Sequence, residues 1–215
     1  MSVVVAATGA VSVSAVVSDA VSDAVSDAAA NVAGMSAIVL EPWSEQGYEL
    51  LVSLNSPELT EHLGGPETAE RVRRRHERYL DRTGADGQMF LVVSDREVVG
   101  SVGYWPRAWG GQQVYETGYG ILSAFQGRGL AVAAVRLCAT YAARDGSLPW
   151  LHAFPSVHHA ASNAVCRKAG FELVEACEFE YPPGNLIRSN DWRLALSHMA
   201  AGDIRAPGRQ RIQPA

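Results

Sequence analysis

Gln126-Gly127-Arg128-Gly129-Leu130-Ala131 puts two glycines and a basic side chain at the point where a strand-like run gives way to a helical pattern. Tyr115 to Leu122 reads as strand and Ser123-Ala124-Phe125 as a short connection. Behind them Leu130, Ala134, Leu137, Cys138 and Tyr141 recur at helical spacing. Glycines here let backbone approach a ligand closely, and the first free N–H groups of a helix, with its positive dipole end, favour an anion. The chemistry implied is capture of a phosphate-bearing ligand; the alternative is a tight turn with a solvated Arg128. Neither G-x-G-x-x-G nor G-x-x-x-x-G-K-[ST] is present, which argues against a dehydrogenase or a P-loop enzyme.

The segment resembles the Q/R-x-x-G-x-G/A signature of the GNAT acetyltransferases, with Gln126, Gly129 and Ala131 at the defining positions. A second block, His159-Ala160-Ala161-Ser162 through Lys168-Ala169-Gly170-Phe171, is similar to that family's N-x-x-S-x-x-x-x-x-K-x-G-F helix. Upstream, Ala37-Ile38-Val39-Leu40-Glu41-Pro42-Trp43 resembles the family's first strand. His62-Leu63-Gly64-Gly65-Pro66-Glu67 is similar to the branch that contains ribosomal-protein alanine acetyltransferases. The resemblance spans roughly residues 36 to 197, in order. It implies a mixed α/β fold whose central, mostly antiparallel sheet has one splayed strand pair and helices on both faces. It also implies acetyl-CoA as cosubstrate, without a metal, and direct acetyl transfer to an amine-bearing small molecule or a protein N-terminus.

Such a transfer requires a held cosubstrate, a neutral amine, donors for the tetrahedral oxyanion and a proton for the departing thiolate. By resemblance the backbone of Ile121 and Leu122 runs along the pantetheine. The N–H groups of Gly127, Arg128, Gly129, Leu130, Ala131 and Val132 take the pyrophosphate, and Gln126 supplies the polar side chain. The Leu122 N–H is also the expected oxyanion donor. Glu116, on the central strand, is the first candidate base, with Glu180 as competitor, and no side-chain base at all is the third reading, since bulk water can deprotonate a weakly basic amine; Glu178 and Glu180 alternating about Phe179 also read as a solvated strand face. Ser162 is the candidate acid. Cys166 stands where many GNAT enzymes place a tyrosine acid, and a small core thiol is the reading preferred to a nucleophile. His159 replaces the usual asparagine and retains a hydrogen bond to offer the cosubstrate. Trp43, Trp105, Trp109 and Tyr119 are candidate acceptor-pocket residues. The cysteine pattern and the His158-His159 pair lack metal-ligand spacing. A CoA-binding regulatory module that has lost the chemistry is the alternative function, kept open by Cys166 and His159.

The elements that must position these residues follow from hydrophobic patterning. Short helices are expected over Glu45 to Leu54 and Pro57 to Leu63, and a longer one over Pro66 to Leu80, where Glu67–Arg71 and Glu70–Arg74 are spaced as ion pairs. Met89 to Val93 and Val98 to Tyr104 read as a hairpin, Arg107 to Gln113 as loop. The Tyr115 strand and the helix to about Arg144 come next, then a strand near Trp150 to Phe154 and the Ser162 helix. Strands from Phe171 to Tyr181 and from Asp191 to Leu196 close the pattern, broken by Pro182-Pro183-Gly184-Asn185. Gly118 and Gly120 within a strand mark a bulge or a close backbone approach.

At 215 residues the chain suits one domain with tails, divided as 1–34, 35–198 and 199–215. Residues 1–34 carry a Ser-Asp-Ala four-residue repeat with few large side chains, an expected disordered extension; Met35 is a second candidate start. The extension has no basic n-region, and Asp19, Asp23 and Asp27 interrupt it, unlike a secretory signal. An odd count of cysteines at 138, 166 and 177 fits reduced thiols in the cytoplasm. A net charge of -5 gives no general attraction to nucleic acid, and no run suits a membrane span. The expected assembly is a monomer or homodimer.

Overall fold

Alternating side chains on one strand show how the layers form. On β2 (Gln88–Ser94), Met89 and Leu91 join a cluster with Trp43, Leu50, Leu51 and Val72, whereas Phe90 and Val92 face the opposite way, into a cluster with Leu130, Ala134, Val135 and Cys138. A strand covered on both faces needs no polar alternation, which is why Met89 to Val93 is apolar throughout.

The structure is a computed structural model that describes residues 38–81, 87–181 and 184–198. In chain order it runs β1 (Ile38–Pro42), α1 (Gly47–Leu54), α2 (Pro57–Thr60) and a 3-10 turn Glu61–Leu63, then α3 (Ala69–Leu80), β2, β3 (Glu97–Trp109) and β4 (Gln112–Ile121). A 3-10 turn Ser123–Phe125 leads into α4 (Leu130–Asp145). Then come β5 (Trp150–Ala153), α5 (Ala160–Ala169), β6 (Glu172–Glu180) and β7 (Leu186–Ala195). The sheet order is β1-β2-β3-β4-β5-β7-β6. Every pairing is antiparallel except β4 with β5, which α4 joins as a crossover. Helices α1 and α3 cover one face, α4 and α5 the other. This is the mixed α/β architecture expected.

Several boundaries differ from the sequence reading. The helix expected from Pro66 begins at Ala69, because Thr68 caps it by accepting the Arg71 N–H and because Asn55 grips the backbone of Glu67 at both its N–H and its carbonyl, each 2.8 Å. Glu67 therefore lies outside the helix and pairs with Arg75 at 2.8 Å, not with Arg71; Glu70–Arg74 forms as expected. Arg107 to Gln113, expected as loop, is mostly strand. Only Gly110 and Gly111 turn, with φ of 55° and 75°, the left-handed pair that a two-residue hairpin requires. The last strand starts at Leu186 because β6 pairs with it from Glu180↔Leu186 onward. The 1–34 extension, the 199–215 tail and Pro182-Pro183 lie outside the described residues. No helix among the described residues is long and apolar enough to cross a membrane.

One defect in the sheet positions the site. β4 pairs with β5 only at Tyr115↔Leu151 and Glu116↔His152, yet its ladder with β3 continues to Gly100↔Ile121. From Thr117 onward the β5-facing edge of β4 is therefore unladdered, and a gap opens between two neighbouring strands.

Candidate active site

At one mouth of the gap stands the glycine loop. Gly127 and Gly129 have φ of 77° and 79°, and a Cβ built at either meets nothing within 4 Å. The glycines are thus demanded by backbone conformation, and the space before them is open. Gly129 is the N-cap of α4, and the first intrahelical bond runs from the Ala133 N–H to the Gly129 carbonyl at 3.1 Å. The N–H groups of Leu130, Ala131 and Val132 precede that bond, so they have no helical acceptor and, with the helix dipole, suit an anion. Burial of Leu130 and Ala134 anchors the turn. The Gln126 amide donates to the Ile121 carbonyl at 3.0 Å, and Arg128 folds back to the Ala124 carbonyl at 3.0 Å, over the Phe125 ring. These features fit a pyrophosphate held by backbone.

Inside the gap, the Leu122 N–H donates to the Val99 carbonyl at 2.9 Å. The oxyanion donor expected at Leu122 is therefore already engaged within the β3–β4 edge. Ladder alternation places the N–H groups of Gly120 and Gly118 on the same side and turns those of Tyr119 and Ile121 toward the gap. Gly118 and Gly120 mark close approach and not a bulge. The β3–β4 register is unbroken there, and a Cβ at Gly118 would come within 2.8 Å of the Trp105 ring. Tyr119 packs on the α4–α5 side. Its hydroxyl lies 2.7 Å from Ser162 Oγ, 3.1 Å from the Ser162 carbonyl and 3.6 Å from Cys166 Sγ. The residue expected in the acceptor pocket thus meets the candidate acid. Burial raises the Tyr119 phenol well above its ordinary value and pushes the Cys166 thiol up to about 11, so both stay protonated at neutral pH. A thiol held in that state is no poised nucleophile.

The opposite mouth is made of side chains. Glu116, 9% exposed, pairs through Oε2 with Arg107 Nη1 at 2.7 Å. The Arg107 guanidinium lies 4.2 Å from the centre of the Phe179 ring and stands over Trp109 and Phe154 at 5.9 and 5.7 Å. Across the last β4–β5 pair from Glu116 stands His152, whose Nδ1 is 2.7 Å from Asp191 Oδ1; the Trp109 indole donates to the other Asp191 oxygen at 2.8 Å. Trp105, register partner of Glu116, shares this face. Trp43 does not: its indole donates to His76 Nδ1 at 3.2 Å within the α1–α3 core. Glu180 is exposed at the end of β6, where it accepts the Gly184 N–H at 2.6 Å.

His159 begins α5 with its ring 4.4 Å from that of His62, and burial followed by His62 lowers its pKa. Asn163, one helical turn on, accepts from the Trp192 indole (2.8 Å) and Asn190 (2.7 Å), and donates to the carbonyls of Ser156 and His159, so it fixes the Ser162 helix to β7. No group of three or more metal-ligating side chains occurs among the described residues. The sequence reading missed Arg107, His152 and Asp191. Its available signal was a histidine inside the apolar run Trp150-Leu151-His152-Ala153 and an aspartate before Trp192.

A glycine loop at a helix start, opening into a gap between parallel strands, agrees with the fold that the sequence resemblance implies. Residues 37–172 match the family model for the acetyltransferase (GNAT) domain, and the chain belongs to that family. Among solved structures it is similar to an aminoglycoside acetyltransferase AAC(6') in complex with coenzyme A, with 16% identity, TM-score 0.63, and coverage of 77% of this chain and 100% of that one. It is also similar to the Salmonella typhimurium acetyltransferase that modifies the N-terminal serine of ribosomal protein L7/L12, with 22% identity, TM-score 0.60, and coverage of 74% and 94%. A third is the microcin C7 self-immunity acetyltransferase in complex with acetyl-CoA and AMP, with 16% identity, TM-score 0.61, and coverage of 74% and 92%. No curated protein matches the sequence.

Proposed function

We propose that the chain transfers the acetyl group of acetyl-CoA directly to an amine, in a complex that holds both at once. The observation that carries this reading is the two-mouthed gap, with anion-binding backbone on one side and buried charge on the other. Gly127, Gly129 and the N–H groups of Leu130, Ala131 and Val132 hold the pyrophosphate. The pantetheine arm lies along β4, where the Tyr119 and Ile121 N–H groups face the thioester carbonyl and bind the oxyanion that forms on amine attack. Acetyl-CoA supplies the activated acyl group. Ser162, held against Tyr119, provides the proton for the departing sulfur; His159 flanks the cosubstrate at the start of α5.

The acceptor enters from the Trp105–Glu116–Trp109 side. Acceptors named for the similar structures, an aminoglycoside and a protein N-terminal serine, are both amines, and this chain's acceptor is taken from the same class of primary amines. A CoA-binding module without chemistry has no use for buried charge at the far mouth, which supports the enzymatic reading. The test is release of free CoA thiol from acetyl-CoA with a panel of aminoglycosides, polyamines, amino acids and peptides with free N-termini. Amine-dependent release is expected; tight acetyl-CoA binding without release from any acceptor would favour the regulatory module.

A further inference from the structure

We infer that the general base of this acetyl transfer is His152, oriented by Asp191, and that Glu116 instead forms a fixed charge pair with Arg107. The inference rests on the acetyltransferase reading and adds to it the group that accepts the amine's proton.

The placement follows from the sheet. β4 and β5 are last joined at Glu116↔His152, so these two side chains share the face opposite α4 and α5 and stand at the vertex where the strands part. An amine entering from that face to reach a thioester between the strands passes this vertex. Of the two candidates, Glu116 has Oε2 tied to Arg107, and that guanidinium is itself held on Phe179. His152 uses Nδ1 for Asp191, while its Nε2 makes no hydrogen bond to any described residue. Asp191 is 3% exposed and is held on its other oxygen by Trp109, so base, orienting carboxylate and a fixed third group form one chain. An Nδ1–H bonded to a carboxylate leaves Nε2 as the basic nitrogen and stabilises the imidazolium once it forms. Groups around the ring are Asp191 and its register partner Glu175, Arg193 opposite His152 on β7, Glu116 and Arg107 across the gap, and Cys177 near Asp191.

The step balances. His152 Nε2 takes one proton from the acceptor ammonium, directly or through one water. The amine nitrogen then forms a bond to the acetyl carbon, the carbon–sulfur bond breaks, and CoA leaves with a proton from the Ser162 side. The second nitrogen proton is lost as the amide forms and, through solvent, replaces the one that left the Ser162 side. Imidazolium returns its proton to solvent, so the net change is ammonium plus acetyl-CoA to acetamide, CoA thiol and one proton.

The experiment is a pH profile of kcat/KM with the best acceptor of the amine panel, for the intact chain and for H152Q, D191N and E116Q, with acetyl-CoA affinity by calorimetry and melting temperature for each. H152Q is expected to lose on the order of 100-fold in kcat/KM at neutral pH, with the loss shrinking toward the acceptor's own pKa, and to lack the acidic limb. D191N, which preserves shape, is expected to lose roughly tenfold at neutral pH, with the loss shrinking toward the acceptor's own pKa. E116Q is expected to lower the rate and leave the limb in place. A limb that persists in H152Q and vanishes in E116Q assigns the base to Glu116 and overturns the inference. A loss in D191N that is equal at every pH makes the pair structural and also overturns it, including if H152Q fails to fold. No amine-dependent turnover by the intact chain would instead overturn the acetyltransferase reading on which the inference stands.

Discussion

The two mouths of the gap are built from different materials. The loop mouth is almost wholly backbone: two left-handed glycines, three N–H groups without helical acceptors, and a glutamine and an arginine whose side chains brace the loop itself. The far mouth is almost wholly side chain, assembled from β3, β4, β5, β6 and β7, with each charged group tied to a partner. Backbone recognition suits a cosubstrate whose phosphates are always the same. Side-chain recognition lets one fold take different acceptors by changing a few residues, which is how a single architecture serves unrelated substrates.

The contrast is sharpest under substitution. Gly129→Val places a β-branched residue at φ 79°, where no crowding opposes it but the backbone does, at a cost of roughly 1–2 kcal/mol or more. Relaxing that strain moves the α4 entrance, and acetyl-CoA affinity is expected to fall at least tenfold by calorimetry, with the fold retained by circular dichroism. Arg107→Ala is expected to act the other way. It removes the 2.7 Å ion pair that Arg107 gives Glu116 at the buried mouth and should lower unfolding free energy by about 2 kcal/mol in a denaturant melt, while acetyl-CoA affinity changes little. Reversed outcomes, stability lost at the loop and cosubstrate affinity lost at Arg107, would break the comparison.

Within the gap the effects are smaller. Ser162→Ala is expected to lower kcat several-fold more than it raises acceptor KM in steady-state kinetics, if thiolate departure limits turnover. Arg128→Ala is expected to weaken acetyl-CoA by only two- to threefold in roughly 0.15 M salt, because the guanidinium is spent on the Ala124 carbonyl and the Phe125 ring. A last effect is on stability and depends on pH. Burial pushes the Cys166 thiol from 9.0 to about 11, so between those values the unfolded chain releases a proton that the folded chain keeps. Stability should therefore fall as pH rises through that window, and Cys166→Ala should flatten the part of the decline that Cys166 contributes, as read from denaturation midpoints at pH 8 and 10.

What the sequence reveals divides along the same line. The loop was legible because backbone sites are contiguous: Gln126 to Ala131 is one stretch, and its neighbours on β4 and α4 carry strong periodicity. The mixed character of the sheet was legible because a helix between two strands imposes a crossover. The far mouth was not. Arg107 was hidden in a stretch that Gly110-Gly111 made look like loop, although two left-handed residues suffice to turn a hairpin whose strands continue on both sides. His152 and Asp191 are separated by 39 residues and meet only because β7 inserts between β5 and β6, a choice that no local pattern dictates. Tyr119 was read as an acceptor contact because its strand was known, but the face it points to depends on the register with β3.

The central claim is that a cosubstrate gripped at the backbone mouth delivers its acyl group to an amine at the side-chain mouth. Its most direct measurement is the rate of CoA thiol release from acetyl-CoA as a function of acceptor identity, in parallel with acetyl-CoA binding by calorimetry. The account predicts saturable binding of acetyl-CoA and release that accelerates with at least one class of primary amine, with the acetylated amine as product in mass spectrometry. Failure to bind acetyl-CoA, or binding with release no faster than hydrolysis across aminoglycosides, polyamines, amino acids and N-terminal peptides, would contradict it.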